Sequence, residues 1–268
     1  MMELFSLKGK TAIVTGACGL LGKHHCYALA EAGAKVIAAD VDEVASKKVA
    51  QELGEGHMGV GLDVSSDFSV MEAKESILER YGKIDVLVNN AAINDMFENP
   101  SAALELSKFE NYPISLWKKS LDVNVTGVFL CSQIFGTVMA EAKQGSIINI
   151  ASTYGVTAPN QKLYQNEKGE QTFYKSASYP TTKGAVVSFT RFLAAYWGDK
   201  GVRVNALSPG GVENGQQEFF KSNYAERTPL GRMAQPTDYK GAIVFLASDA
   251  SNYMTGGNLV VDGGWTII

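Results

Sequence analysis

Cysteine is scarce in this sequence: three residues among 268, and none has the spacing of a metal-binding pair. An odd, dispersed set excludes a disulfide framework and gives no zinc motif, so we expect no metal and a reducing, cytoplasmic compartment. An apolar run of about 18 residues is also lacking, and the chain becomes polar within its first ten residues, without the apolar core of a secretory leader. We therefore expect neither a membrane span nor export.

Basic charge is not in excess, because 24 lysines and arginines face 28 aspartates and glutamates, for a net charge of -4. This balance disfavours nucleic acid and anionic membranes as partners and favours a small molecule. Proline is limited to seven scattered residues, and no linker rich in proline, glycine or serine divides the chain. With 46% hydrophobic residues, we expect one globular domain over residues 1–268.

Short apolar, β-branched runs alternate with amphipathic stretches along the chain. Such runs are typical of parallel strands that helices cover on both faces, which predicts a doubly wound α/β sheet. The seven predicted strands are Thr11 to Thr15, Val36 to Asp40, Met58 to Asp63, Ile84 to Asn89, Ser146 to Ala151, Val202 to Leu207 and Leu259 to Asp262. Two connections, Ile93 to Ser115 and Thr153 to Ser178, are longer and more polar than this fold requires, which indicates a functional role.

A glycine-rich turn joins the first predicted strand to the first predicted helix. Its residues are Gly16, Ala17, Cys18, Gly19, Leu20, Leu21 and Gly22. Glycines let the backbone approach a pyrophosphate, and the N–H groups of a helix N-terminus stabilise its charge. A dinucleotide site is one interpretation, and a tight turn without a ligand is the other.

Asp40 ends the second predicted strand, where a carboxylate can accept both ribose hydroxyls of an adenosine and repel a 2′-phosphate. Neither lysine nor arginine lies within the glycine turn or directly after Asp40 to neutralise such a phosphate. NAD is therefore expected as the cofactor in preference to NADP. The alternative is that Asp40, together with Asp42, caps the following helix.

Tyr179 and Lys183 are four residues apart, a spacing that places both side chains on one face of a helix. A nearby ammonium favours the phenolate, so we expect the pKa of Tyr179 to lie below its usual value of about 10 and the phenol to transfer protons. Pro180 is tolerated only in the first turn of a helix, which predicts that this helix begins near residues 176–178. Ser152, after the fifth predicted strand, can hydrogen-bond a substrate oxygen.

From about Leu7 to Trp265 the sequence resembles the short-chain dehydrogenase/reductase family. Eight motifs occur in the family's order: the glycine turn, Asp63-Val64, Asn89-Asn90-Ala91-Ala92, Asn124-Val-Thr-Gly127, Ser152, Tyr179-x-x-x-Lys183, Arg203-Val-Asn-Ala-Leu-Ser-Pro-Gly210 and Asp262-Gly-Gly264. The resemblance implies a single-domain, Rossmann-like NAD(P)-dependent oxidoreductase with a seven-stranded sheet. It also implies a homo-oligomer, expected to be a tetramer, paired through the segments Leu116 to Met139 and Tyr179 to Trp197.

The same resemblance implies roles for individual residues. Asn124, Ser152, Tyr179 and Lys183 form the implied catalytic set, in which Asn124 orders a water that connects Lys183 to solvent. The implied cofactor contacts are Gly16, Cys18, Gly19, Leu20, Leu21, Gly22, Asp40, Val41, Asp63, Val64, Asn90, Ala91, Ala92, Lys183, Pro209, Gly210 and Val212. The sequence departs from the family pattern at three positions. The family's middle glycine falls at the position of Leu20, whereas here the glycine comes one residue earlier, at Gly19. Ala92 replaces a glycine, and Asn214 stands where the family often has a threonine that holds the nicotinamide carboxamide.

The Thr153 to Ser178 connection is an insertion that separates Ser152 from Tyr179 further than the family usually does. Because both ends lie at implied catalytic positions, we expect it to form a lid that selects a polar substrate such as a sugar or sugar phosphate; an oligomer contact is the alternative. The side chains expected to reach the substrate are Lys162, Lys168 and Lys175 for an anionic group, and Tyr164 and Tyr174 for a sugar face. The chain is loosely similar to bacterial members placed in flagellin modification and surface-sugar biosynthesis.

Two other functions stay open at this point. Sugar-nucleotide epimerases and dehydratases also use a Tyr-x-x-x-Lys pair and NAD, although they usually carry an added substrate domain. A dinucleotide-binding sensor is the non-enzymatic alternative. The complete set of four implied catalytic residues argues against a sensor, since a sensor needs no proton relay.

Overall fold

Seven parallel strands form one sheet in the order β3-β2-β1-β4-β5-β6-β7 in the computed structural model, which describes residues 2–94 and 100–268. The strands are β1 (Thr11–Thr15), β2 (Lys35–Asp40), β3 (Met58–Gly61), β4 (Val86–Asn89), β5 (Gly145–Ile150), β6 (Val202–Pro209) and β7 (Asn258–Val261). All seven predicted strands are confirmed, with ends that differ by at most two residues. The predicted doubly wound, Rossmann-like α/β fold is therefore confirmed.

Nine α-helices lie within the described residues. They are α1 (Leu20–Glu31), α2 (Glu43–Leu53), α3 (Asp67–Tyr81), α4 (Pro100–Ser107), α5 (Ile114–Leu121), α6 (Gly127–Glu141), α7 (Ser178–Trp197), α8 (Glu218–Glu226) and α9 (Lys240–Ala247). Helix α7 begins at Ser178, as the position of Pro180 predicts. Tyr179 consequently lies in the first turn of this helix, next to the end of β5.

Helices cover both faces of the sheet, which accounts for the continuous apolar strands. In β1, Ile13 points into a core shared with α3, α6 and α7. Its neighbours Ala12 and Val14 point into the opposite core, shared with α1, α2 and α9. Alternate residues of one strand thus pack into two different cores, and for that reason the strand has no polar face.

The helical stretch Ile114–Glu141 comprises α5, a π-helical turn at Asp122–Thr126, and α6. By length and composition alone it is apolar enough to cross a membrane. Half of its most apolar part is buried inside the fold, and Phe135 and Met139 are fully buried against the sheet. Packing on the sheet therefore explains much of its apolar character.

A buried polar network connects two strands to two helices behind the sheet edge. The amide of Asn89 in β4 donates to Asn149 Oδ1 in β5 at 2.8 Å and lies 3.0 Å from the Ser132 hydroxyl in α6. The Asn149 amide donates to Thr190 Oγ1 in α7 at 2.9 Å. Because buried polar groups are costly without partners, this network holds α6 and α7 in one position on the sheet.

His25 on α1 is fully buried, and neither ring nitrogen has a hydrogen-bond partner among the described residues. Burial lowers the pKa of His25 to about 3 in the folded protein. In the unfolded chain the same ring has its ordinary pKa of about 6.5 and is protonated below that pH. This group's contribution to stability is therefore present above pH 6.5 and is lost as the pH falls towards 3. We expect it to remove about 2 kcal/mol of unfolding free energy between pH 7 and pH 5.

Urea denaturation of the wild type and of His25→Leu at both pH values measures this contribution. The wild type should lose more stability than the variant by about 2 kcal/mol, since only the wild type buries an ionisable ring. Equal losses would show that His25 does not control acid stability.

Candidate active site

A cavity of about 1560 Å³ lies at the carboxyl ends of β1, β2, β4, β5 and β6. This is the edge where the strand order reverses between β1 and β4, the usual ligand position in such sheets. Every implied cofactor residue except Gly22 lines the cavity, and so do Ser152, Tyr179 and Lys183 of the implied catalytic set. Gly22 and Asn124 lie behind the wall, and both have packing roles that sequence reasoning missed.

The glycine turn has the backbone that a pyrophosphate requires. Gly16 adopts a positive φ of 62°, and a side chain there would lie 2.7 Å from the backbone of Ala91. A Cβ on Gly22 would lie 2.0 Å from the Gly16 carbonyl, so this glycine lets α1 pack against the turn without contacting the cavity. Gly19 caps α1 without a side chain, which leaves the first N–H groups of the helix facing the cavity.

Thr15, which the sequence analysis did not assign to the site, fixes this turn to the end of β4. Its hydroxyl accepts hydrogen bonds from the N–H groups of Asn90 and Ala91, both at 3.0 Å. The Asn90 amide in turn donates to the carbonyls of Thr15 and Gly16 at 2.9 and 3.0 Å. A threonine directly before the first glycine is the sequence signal for this support.

Asp40 faces the glycine turn. Its Oδ2 accepts the Cys18 N–H at 2.9 Å, whereas the N-cap of α2 is Asp42, whose side chain accepts the Ala45 N–H. The alternative in which Asp40 caps that helix is therefore wrong. Burial and the adjacent Asp40 raise the pKa of the Cys18 thiol to about 11, which keeps it protonated and unreactive.

The remaining implied cofactor residues form two walls of the cavity. Val41, with 76% of its surface exposed, lines one end of the cavity together with Asp63 and Val64. At the other end lie Pro209, the last residue of β6, and Gly210, Val212 and Asn214, which follow it. Asn214 is exposed where it lines this wall.

Ser152, Tyr179 and Lys183 converge where β5 ends and α7 begins. The Lys183 ammonium donates to the Ile150 carbonyl at 2.7 Å and lies 5.7 Å from the centre of the Tyr179 ring. The Ser152 hydroxyl hydrogen-bonds the Tyr179 phenol and accepts the Tyr154 N–H at 3.1 Å. A hydroxyl, a phenol and an ammonium thus meet at one point of the cavity, an arrangement suited to proton transfer at a bound oxygen.

Burial shifts the pKa values of this group in opposite directions. It lowers the pKa of Lys183 to about 8 and raises the pKa of Tyr179 above its ordinary value, an effect that the Ser152 hydrogen bond opposes. The predicted lowering of the Tyr179 pKa is wrong for the chain alone, because loss of solvation outweighs the nearby ammonium.

The Asn124 side chain acts as a clamp on the segment that follows β4. Its Oδ1 accepts the Ile93 N–H at 2.8 Å, and its amide donates to the Ile93 carbonyl at 2.9 Å and to Thr182 Oγ1 at 3.2 Å. The π-helical turn that contains Asn124 carries the side chain towards both groups. The implied water contact would therefore have to use backbone atoms, since the side chain is already paired.

Residues of the Thr153–Ser178 insertion line the cavity next to Ser152 and Tyr179. Leu163 is buried against Tyr224, Met233 and Trp265, which attaches the insertion to the region of α8. Of the expected contact residues, Tyr164 and Lys175 line the cavity. Lys162 and Lys168 are exposed outside it, and the wall position expected for Tyr174 belongs to Phe173, so these three expectations are wrong.

Known proteins resemble this chain over nearly its whole length. A family model described as enoyl-(acyl carrier protein) reductase matches residues 16–266. A D-threitol dehydrogenase of Mycolicibacterium smegmatis is 34% identical over 98% of this chain and 95% of its own length. A 3-alpha-(or 20-beta)-hydroxysteroid dehydrogenase of Mycobacterium tuberculosis is 35% identical over 96% of this chain and 90% of its own length.

A solved structure shares this fold over the whole length of the chain. A gluconate 5-dehydrogenase from Burkholderia cenocepacia, in complex with NADP and tartrate, superposes with a TM-score of 0.87 at 31% identity. The superposition covers 100% of this chain and 99% of that one.

Proposed function

The chain belongs to the short-chain dehydrogenase/reductase family and is an NAD(P)-dependent dehydrogenase acting on hydroxyl groups; from this premise we propose that it oxidises a secondary alcohol of a polar, hydroxyl-rich substrate with NAD. The observation that carries the proposal is the convergence of Ser152, Tyr179 and Lys183 on a cavity that also contains the glycine turn. Full-length similarity to named dehydrogenases argues against a sensor and against an epimerase.

The glycine turn, the N-terminus of α1 and Asp40 fit a dinucleotide, as the close approaches at Gly16 and Gly22 support. Bound NAD supplies an acceptor for the hydride that leaves the carbinol carbon. In the proposed reaction, the Ser152 hydroxyl holds the substrate oxygen and Tyr179 removes its proton. The Lys183 ammonium, held by the Ile150 carbonyl, favours the phenolate that accepts this proton. In the opposite direction Tyr179 returns the proton to the oxygen.

The substrate class is argued from the cavity wall and the relatives. Polar side chains, among them Asn94, Gln165 and Gln216, line the substrate end and suit a polyol or sugar acid. Relatives that act on threitol and gluconate support this choice. The aromatic side chains Tyr164 and Phe220 in the same wall, with the hydroxysteroid dehydrogenase relative, favour a steroid as the second candidate.

A substrate screen tests the proposal. Purified protein is mixed with NAD or NADP and with matched panels of polyols, sugar acids, sugar phosphates and hydroxysteroids, and formation of the reduced nicotinamide is followed by absorbance. We expect the highest kcat/KM with NAD and a hydroxyl-rich substrate. Turnover confined to steroids would replace the substrate class, and no turnover with any alcohol or carbonyl would refute the proposal.

We also propose that the protein is a cytoplasmic homo-oligomer, as the family resemblance implies. An aromatic patch on α6 and α7 supports this, because Phe129, Phe192 and Tyr196 are 45%, 63% and 60% exposed. The Phe192 and Tyr196 rings stack with their centres 5.9 Å apart, which extends the patch along α7. Exposed apolar surface of this kind marks a protein contact.

Light scattering of the wild type at micromolar concentration should give the mass of a tetramer, and Phe192→Glu should give a smaller species. A charge at the centre of an apolar contact is costly to bury, so the interface on α7 is expected to separate. Phe68→Glu is the matched control, since Phe68 is 66% exposed and lies on α3 rather than on α6 or α7. A monomeric wild type would refute the assembly.

A further inference from the structure

The insertion holds Lys175 in place through its own backbone contacts. The Gln161 amide donates to the Lys175 carbonyl at 3.0 Å, and Gln161 Oε1 accepts the Lys175 N–H at 2.8 Å. The neighbouring Tyr174 N–H donates to Ser107 Oγ at the end of α4. Lys175 is therefore positioned from both sides, by the 3₁₀ turn at Gln161–Tyr164 and by α4.

The Lys175 ammonium lies over the ring of Tyr179. It is 4.5 Å from the ring centre, closer than the 5.7 Å of the Lys183 ammonium, and it also donates to Asn94 Oδ1. A cation at this distance from an aromatic face is attracted to the ring, and the attraction grows when the phenol becomes a phenolate. Tyr179 thus contacts two cations, one from its own helix and one from the insertion.

Among the described residues, the other titratable groups around Tyr179 carry no charge near pH 7. Within the described part of the chain, the ionisable neighbours besides the two lysines are Tyr154, after β5, and Tyr164, in the insertion. Burial raises the pKa of both phenols above the ordinary value, so both are neutral near pH 7. Lys175 and Lys183 are therefore the two cations that the described part of the chain places over the Tyr179 ring.

We propose that Lys175 is a positioning residue for proton transfer, whose ammonium, held over the ring by the insertion, stabilises the Tyr179 phenolate. The proposal rests on the proposed function, in which Tyr179 accepts the substrate proton. It gives the Thr153–Ser178 insertion a chemical role besides lining the cavity. The family motif contains only the lysine at position 183, so this second cation belongs to the insertion of this chain.

Titration of Tyr179 by NMR tests the proposal without any substrate. Protein labelled with ¹³C at the tyrosine ring carbon next to the hydroxyl is titrated, and the Tyr179 signal is assigned by its loss in Tyr179→Phe. Lys175→Met should raise the pKa of Tyr179 by about one pH unit, since it removes one charge a few ångströms from the ring. Lys175→Arg should restore most of the shift, which separates the charge from any loss of folding.

Lys162→Met is the matched control, because it removes a lysine from the same insertion at an exposed position outside the cavity. It should leave the Tyr179 titration unchanged. An unchanged titration in Lys175→Met, or an equal shift in Lys162→Met, would overturn the proposal.

The pH profile of kcat supplies the second readout. In Lys175→Met the inflection assigned to Tyr179 should move to higher pH by the same amount, so that turnover below the inflection falls about tenfold while KM for NAD is unchanged. If Tyr179→Phe keeps its activity, the proposed function fails whatever Lys175 does. If Tyr179→Phe is inactive and Lys175→Met keeps the wild-type profile, the inference about Lys175 alone fails.

Discussion

Tyr179→Phe is expected to lower kcat by about 10²–10⁴-fold, whereas the Kd for NAD should change by less than about twofold. The phenol oxygen is the atom that would exchange the proton with substrate, and phenylalanine retains the ring on which Lys175 and Lys183 pack. Steady-state kinetics on the substrate found by screening measures the first quantity. Fluorescence or calorimetric titration with NAD measures the second.

Tyr154→Phe provides the control for this experiment. Tyr154 is a neighbouring phenol that also lines the cavity, but its hydroxyl is hydrogen-bonded to Tyr164 rather than directed at the Ser152–Tyr179 pair. Its removal should change kcat by less than about tenfold. Turnover of Tyr179→Phe within about tenfold of the wild type would exclude the proton-transfer role.

Cofactor selectivity should depend strongly on Asp40. We expect NAD to be preferred over NADP by at least about 100-fold in kcat/KM, because the 2′-phosphate would meet the Asp40 carboxylate and the acidic residues that follow it, Asp42 and Glu43. Asp40→Asn keeps an acceptor for the Cys18 N–H and removes the charge. This variant should reduce the preference to less than about tenfold, mainly through a lower KM for NADP.

Asp42→Asn removes the same charge two residues away, at a position where asparagine caps a helix as well as aspartate does. Its effect on the NAD to NADP ratio should be less than about threefold. The gluconate 5-dehydrogenase relative was solved in complex with NADP. A preference of the wild-type protein for NADP would overturn the assignment of NAD as cofactor. An unchanged ratio in Asp40→Asn would show that another group selects the cofactor.

The sequence predicts the fold well because the sheet is buried on both faces. Runs such as Ala12-Ile-Val14 have no polar alternation, and only a parallel sheet between two helical layers explains them. The sequence predicts the ends of the strands less accurately: β3, for example, ends at Gly61 rather than at the predicted Asp63. Hydrogen-bond geometry, which a composition pattern does not contain, decides these ends.

The site is predicted in part. Spacing and motif order indicate the residues that line the cavity around Ser152 and Tyr179, but they do not reveal which side chains lie behind it. Asn124 and Gly22 act through contacts with Ile93 and with the Gly16 carbonyl, and those contacts exist only in the folded chain. Of the three lysines in the insertion, Lys175 is the one held over Tyr179, because the Gln161 side chain hydrogen-bonds its backbone. These two residues are 14 positions apart, and the sequence does not reveal that they pair.

The pKa of Tyr179 shows a different limit of sequence reasoning. Its spacing from Lys183 indicates attraction between an ammonium and a phenolate, and the structure does bring the two together. The sequence contains no measure of how much water the phenol loses on folding. That loss determines the direction of the pKa shift, because desolvation is the largest effect on this group.

The buried hydrogen bond from the Asn149 amide to the Thr190 hydroxyl matters for redesign of the core. Sliding α7 along β5 by one residue would separate this pair and leave buried polar groups unsatisfied, at a cost of about 1–3 kcal/mol for each group. The pair therefore sets the axial position of α7, and with it the height of the Tyr179 hydroxyl about three helical turns away. A thermostabilising redesign that replaces Asn149 and Thr190 with well-packed aliphatic residues would remove this alignment while preserving every residue of the cavity. Such a protein would be stable, would bind dinucleotide and would misplace its acid–base group.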